Sequence, residues 1–154
     1  MATYENANGM ANMYYTDHVA HDIVERGKYL ALARDSLLVA EKYLPGDWSN
    51  TCDLGSVELR LAVLARDREQ PDVEVKSHFS AGREQCLRVV NELRPGYGFA
   101  LYELGILHRV WEKWDDGADH LQRALEGPRD YRDVSDGQVK EQQSRIAARD
   151  RLYP

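Results

Sequence analysis

The sequence predicts an all-α protein of paired helices, and three observations support this. Apolar residues recur at helical spacing along most of the 154 residues, small residues stand where two helices would touch, and Pro or Gly ends the segments. The clearest case is the stretch 97–128, where a turn at 115–117 separates two periodic segments and Pro128 ends the second. Its apolar positions are Leu101, Leu104, Leu107, Leu121, Ala124 and Leu125.

The N-terminal part of the chain predicts an arm followed by a helix. Residues 1–15 are polar, Asn-rich and without a period, so we expect a flexible arm and a folded helical domain over 16–152. The alternative is that Met10, Met13, Tyr14 and Tyr15 pack onto another part of the protein. The first helix begins at Thr16 or Asp17, because either side chain can cap it, and it ends at Gly27.

The remaining periodic segments bring the expected total to seven helices. A linker at 47–53, a polar loop at 67–75 and a charged connection at 127–134 separate them. Ser135 or Asp136 can cap the last helix, whose thin apolar stripe is typical of a helix that covers the end of a stack. The expected bounds are 29–44, 54–66, 77–93, two helices within 97–128, and 137–152.

Composition places the chain among folded proteins and limits its partners. With 43% hydrophobic and 30% charged residues, the chain can form a core and does not resemble a disordered segment. The net charge of −6 argues against binding to nucleic acid or to an anionic membrane surface. No apolar run approaches the roughly 20 residues of a spanning helix, so we expect no membrane insertion.

The N-terminus predicts a cytoplasmic protein, the alternative being a mature form whose leader has been removed. It lacks the basic start and the continuous apolar core of a secretory signal. Cys52 and Cys86 are therefore expected to be reduced thiols.

The order of residues in 97–128 resembles a tetratricopeptide repeat. A Leu plus a small residue on the first helix is followed by small, bulky and small positions on the second helix and then by Pro. These positions are Leu104, Gly105, Gly117, Leu121, Ala124 and Pro128. The order of the second helix returns at Ala33, Leu37, Ala40 and Pro45. It returns again at Gly82, Cys86 and Val89, which lie 35 residues before Gly117, Leu121 and Ala124. The family period is about 34 residues.

The resemblance implies a right-handed α-solenoid of about three helix pairs with a C-terminal capping helix. The pairs would cover 16–45, 53–95 and 97–128, and the cap would cover 136–152. In this family the first helix of each pair lines a concave groove in which ligand peptides lie. The corresponding positions here are Leu59, Arg60, Val63 and Arg66, and Phe99, Tyr102, Ile106 and Arg109.

The resemblance therefore implies a protein–protein interaction module. Such a module would act as an adaptor, an assembly subunit of a larger complex or a client-binding chaperone that holds a protein or peptide partner. The apolar groove residues would anchor the partner, and arginines beside them could hold its carboxylate bidentately. The alternative for each residue is packing under a neighbouring helix or pairing with a local acid. No catalytic motif is present, so we expect neither an enzyme nor a cofactor.

The competing interpretation is a small helical metal-binding protein or enzyme with a site on the first helix. His18 and Asp22 are four residues apart, as are Asp17 and His21, so either pair could share a helix face. Capping and pairing along the helix explain the same residues. We therefore predict no metal site.

Overall fold

The computed structural model of the chain describes residues 1–127 and 134–153. Within these ranges the chain forms seven α-helices and no strand, which confirms the all-α class. None of the described helices is long and apolar enough to cross a membrane. The helices are α1 (Ala2–His18), α2 (Ile23–Tyr43), α3 (Trp48–Asp67), α4 (Asp72–Arg88), α5 (Gly98–Val110), α6 (Trp114–Glu126) and α7 (Asp136–Ala147), and a π-helical turn (Val89–Leu93) follows α4.

The chain divides into two compact units, Met1–Gln85 and Cys86–Pro154. The first unit contains α1, α2, α3 and most of α4, and the second contains the π-helical turn, α5, α6 and α7. Cys52 in the first unit and Cys86 in the second are buried free thiols.

The first unit begins with a helix where the sequence predicted a flexible arm. In α1, Gly9, Met13 and Thr16 are buried, and their spacing of four and three places them on one face. A Cβ atom on Gly9 would lie only 2.6 Å from Cγ of Leu37, so the glycine lets α2 approach closely. The prediction for 1–15 is wrong because the buried stripe consists of one small, one polar and one flexible apolar residue, which a search for large apolar residues overlooks.

Two contacts show that α1 and α2 form an antiparallel hairpin. Asn8 Nδ2 donates to Ser36 Oγ at 2.9 Å, and the rings of Tyr15 and Tyr29 lie 4.1 Å apart. We define these two helices as the first hairpin.

The helix predicted from Thr16 to Gly27 is two helix ends separated by a turn. The residue that caps α2 is Asp22, not the predicted Thr16 or Asp17. The Asp22 carboxylate accepts from the backbone N–H groups of Val24 at 2.9 Å and Glu25 at 2.7 Å. Gly27 lies inside α2, where a Cβ atom would meet the guanidinium of Arg68. The glycine therefore serves close packing and does not end the helix.

The helices α3 and α4 both begin earlier than predicted. Asp47 caps α3 by accepting from Asn50 N–H at 2.8 Å, so most of the expected linker at 47–53 is helical. The expected loop at 67–75 shortens because α4 begins at Asp72, directly after Pro71, a residue that suits a helix start.

In the second unit, the turn between α5 and α6 lies a few residues before its predicted position. The chain turns at 111–113, where Glu112 has a φ of 61°, and Gly117 is inside α6. A Cβ atom on Gly105 would lie 2.5 Å from Cγ of Leu121, which confirms the predicted close approach of a second helix at this glycine. We define α5 and α6 as the second hairpin.

The last helix is capped as predicted. Ser135 Oγ accepts from Gln138 N–H at 3.2 Å, and the Gln138 side chain accepts from Ser135 N–H at 2.8 Å, which forms a capping box. The helix ends at Ala147 and not at 152, because Arg149 adopts a φ of 53° and turns the chain. Pro128, the predicted end of α6, and most of the charged connection at 127–134 lie outside the described residues.

Candidate protein-binding surfaces

Three of the apolar residues predicted to line the groove are buried. Leu59 and Val63 on α3 and Ile106 on α5 are each at most 6% exposed. These side chains belong to the hydrophobic interior, so the alternative of packing under neighbouring residues describes them better than contact with a partner.

Arg60 is occupied by an ion pair inside the first unit. Its Nε atom lies 3.1 Å from both carboxylate oxygens of Asp17, and its Nη2 atom lies 2.8 Å from one of them. Its Nη1 atom donates to the carbonyl of Ser56 at 3.1 Å. This bidentate pair links α3 to the last turn of α1. Arg66 is partly exposed in the last turn of α3 and also interacts with groups of the protein.

Arg109 is completely buried, which corrects its predicted role as a contact for a partner carboxylate. Its Nε atom donates to Gln142 Oε1 at 2.9 Å, and its Nη1 atom donates to the carbonyls of Asp150 at 2.6 Å and Leu152 at 2.7 Å. The guanidinium therefore ties α5 to α7 and to the segment that follows it. Sequence reasoning placed this cation on a surface because buried arginines are rare.

Phe99 and Tyr102 are the members of the predicted groove set on α5 that stay partly exposed. Their ring centroids lie 6.4 Å apart, within the range of aromatic pairs. The pKa of Tyr102 is raised, first by burial and then by the nearby carboxylates of Glu103 and Glu141, so its phenol stays protonated and can donate. We call Phe99 and Tyr102 the aromatic patch.

The first hairpin carries an excess of exposed apolar side chains that sequence reasoning missed. Of the fourteen large hydrophobic residues that are exposed in the described part of the chain, twelve lie in residues 1–44. The signal was visible in α2, where apolar residues occur on every side of the helix and exceed what one buried face can use. Those on α2 and at its end are Ile23, Val24, Leu32, Leu38, Val39, Tyr43 and Leu44.

A pocket of about 180 Å³ lies among the N-terminus of α1, the C-terminus of α2 and the N-terminus of α3. Asn50, which is buried, donates to the carbonyl of Leu37 and to Glu41, both at 3.2 Å. Asn6 donates to Asp53 at 3.1 Å. Because these amides are already hydrogen-bonded, the pocket is explained as a polar joint between three helices.

A buried carboxylate joins three helices of the first unit. Glu58 on α3 contacts Arg34 Nε of α2 at 2.7 Å and His78 Nδ1 of α4 at 2.6 Å. A buried carboxylate needs such partners to offset its loss of hydration. The ion pairs of Glu58 therefore have a structural role, and they hold the imidazole of His78 in a fixed position.

His18 and His21 of the competing metal-site interpretation make separate contacts, and the backbone N–H of His21 donates to Glu25 at 3.0 Å. His18 Nδ1 lies 3.0 Å from the carbonyl of Tyr14, and its ring stacks on that tyrosine at 4.2 Å. Asp17 pairs with Arg60 and Asp22 caps α2. Across the described residues, no group of three or more His, Cys, Asp or Glu side chains is arranged to hold a metal ion.

No protein-family model, curated protein or solved structure matches the chain. The tetratricopeptide resemblance therefore stays a prediction, and function is argued from the surfaces described above.

Proposed function

We propose that the protein is a protein–protein interaction module that holds a partner segment, as an adaptor, an assembly subunit or a client-binding chaperone. One observation carries this proposal. In α5, which the structure describes throughout, eleven of thirteen residues are buried, and the two that are not are Phe99 and Tyr102. Aromatic side chains that keep one edge at the surface are enriched at protein interfaces.

The aromatic patch suits recognition because its helix is rigid. The buried residues of α5 and the bonds of Arg109 fix the helix, so the two rings are presented with little mobility to lose on binding. Aromatic side chains combine large contact areas with few rotatable bonds and are frequent among residues that dominate binding energy.

The surroundings of the patch indicate the chemistry of the partner. Glu103 and Glu141 place negative charge near Tyr102, whereas the guanidinium of Arg109 is bound to groups of the protein. The partner segment is therefore proposed to bring an apolar anchor flanked by neutral or basic groups. This replaces the partner carboxylate that the sequence suggested. In the tetratricopeptide resemblance, α5 is the first helix of a pair, the position at which family members hold peptides.

Site-specific photocrosslinking would test this proposal. A photoreactive phenylalanine analogue at position 99 is expected to crosslink the partner in the native cell, and mass spectrometry would identify the protein and the crosslinked segment. The same analogue at Val73, which is 75% exposed on α4, provides the control.

Affinity measurements with the identified segment complete the test. Tyr102→Ala is expected to weaken binding by about 1 kcal/mol or more, roughly a fivefold rise in Kd, if the tyrosine is a dominant contact. Val73→Ala should leave Kd unchanged. Full affinity in both Tyr102→Ala and Phe99→Ala, with melting temperatures like that of the wild type, would place the binding site elsewhere.

A further inference from the structure

The outer face of α2 combines exposed apolar residues with two opposite charges. Leu38 is 47% exposed, Val39 is 39% exposed and Tyr43 is 54% exposed. Asp35 and Lys42 lie on the same side of the helix and are also exposed. We call these five residues the α2 outer face.

The two charges cannot neutralise each other within one chain. Asp35 and Lys42 are seven residues apart, which corresponds to about 10 Å along a helix axis. In the described part of the chain, neither side chain forms an ion pair. Each charge therefore borders an exposed apolar surface without a local counterion.

We propose that the α2 outer face binds the same face of a second copy of this chain, with the two α2 helices antiparallel. Asp35 and Lys42 are equally distant along the sequence from the point between Leu38 and Val39. A twofold axis at that point places Asp35 of each copy opposite Lys42 of the other, brings Leu38 and Val39 of both copies together at the centre, and leaves Tyr43 toward each end of the contact. A parallel arrangement would instead place like charges opposite each other.

The charge pattern selects a second copy over other occupants. A membrane surface would favour several basic residues, whereas the protein has a net charge of −6. An unrelated apolar partner would not require charges symmetric about the centre of the face. The inference does not depend on the proposed function, because the aromatic patch lies on α5 in the other unit.

Measuring the mass of the protein in solution over a range of concentrations tests whether a dimer forms. Reversing the charge at position 35 or 42 tests whether the two helices are antiparallel. Wild type is expected to form a dimer that dissociates on dilution. Asp35→Lys places lysines opposite one another and Lys42→Asp places aspartates opposite one another, so each variant alone is expected to show a dimer Kd raised about tenfold or more. An equimolar mixture of the two variants has complementary charges at both contacts and is expected to form a heterodimer, which native mass spectrometry distinguishes by mass.

Two further variants separate the surface from general effects on folding. Leu38→Glu is expected to give a monomer with a melting temperature close to that of the wild-type protein measured below its dimer Kd. Val73→Glu changes an even more exposed apolar position, on α4, and is expected to leave the dimer intact. A wild-type monomer at every soluble concentration would overturn the proposal. A dimer that is insensitive to both charge changes, or a mixture that does not pair, would overturn it as well.

Discussion

The two helical hairpins use the same close contact between their helices. In the first hairpin, Gly9 of α1 faces Leu37 of α2, and in the second, Gly105 of α5 faces Leu121 of α6. In both, a Cβ atom on the glycine would lie within about 2.6 Å of the leucine side chain. A glycine on one helix and a leucine on the other thus bring two helix backbones together in each hairpin.

The hairpins differ in what they bury. The second hairpin encloses charged or ionisable side chains, including Glu103, His108 and Arg109, and leaves the aromatic patch at its surface. The first hairpin buries mainly small and aliphatic residues and exposes most of the large hydrophobic side chains on the surface of the described chain. The contrast teaches that hydrophobicity alone does not assign a side chain to the interior. Internal hydrogen bonds hold the buried Arg109 of one hairpin, and interactions with other molecules are proposed for the exposed apolar residues of the other.

The largest effect is expected for the buried arginine of the second hairpin. Arg109→Met keeps an unbranched apolar stem but removes the guanidinium, so it leaves Gln142 and the carbonyls of Asp150 and Leu152 without their donor. We expect a loss of about 3 kcal/mol or more of the free energy of unfolding, because buried acceptors would be left unsatisfied. Denaturant melts would measure it.

Arg60→Met is the matched change in the first unit. The pair of Arg60 with Asp17 is partly exposed, so its loss should cost about 1 kcal/mol or less. Equal costs for the two arginines would contradict the contrast between the buried Arg109 of the second hairpin and the partly exposed pair that Arg60 makes with Asp17 of the first hairpin.

The next largest loss of stability is expected when the glycine at either hairpin contact, Gly105 or Gly9, is replaced by alanine. Gly105→Ala places a methyl group 2.5 Å from Leu121 in a helix that is buried on most sides, and we expect it to cost about 1–3 kcal/mol. Gly9→Ala meets Leu37 at 2.6 Å, but the outer side of α1 is exposed, so the helix can shift and the cost should be smaller.

Gly137→Ala serves as the control for both glycines. Its nearest neighbour would be Ser135 Oγ at 3.7 Å, so the change should be neutral or slightly stabilising through reduced freedom of the unfolded chain. If Gly9→Ala proved more costly than Gly105→Ala, the first hairpin would be the more tightly constrained of the two.

Much of the fold could be predicted from the sequence because the periodic segments are long. The all-α class, the close contact at Gly105 and the Ser135 cap were all visible as patterns of residue type. The prediction failed where small or polar residues form the buried stripe, as in α1, and where a glycine packs inside a helix, as at Gly27. In these cases the tertiary contact determines the local structure, and residue type alone does not reveal the contact.

The candidate binding residues were harder to predict for a related reason. Tyr102 and Arg109 share one helical stripe in the sequence, yet one is partly exposed and the other is fully buried. What separates them is Gln142 and the chain after α7, which supply the acceptors that make burial of the guanidinium possible. Helical periodicity contains no information about such distant partners.

The smallest expected effect is a pH dependence that belongs to the second hairpin. The imidazole of His120 on α6 lies edge-on to that of His108 on α5, with ring centroids 5.0 Å apart. Burial, followed by the positive charge of Arg123, lowers the pKa of His120, and the carboxylate of Asp119 opposes this shift. The folded protein therefore favours the neutral imidazole.

The sign of the pH dependence follows from this direction. Because the unfolded chain takes up a proton at His120 near pH 6.5 and the folded protein does so only at lower pH, the stabilisation is complete above about pH 6.5 and is lost as the pH falls through the folded pKa. His120→Gln should flatten this part of the pH profile of the melting temperature. Arg123→Gln should weaken the dependence, since it removes a charge that lowers the pKa, whereas Asp119→Asn should strengthen it, since it removes the charge that opposes the shift. Changes of the same sign in the last two variants would show that these charges do not control the protonation of His120. The dependence would then come from burial beside His108, an environment that the first hairpin does not provide for the exposed His18.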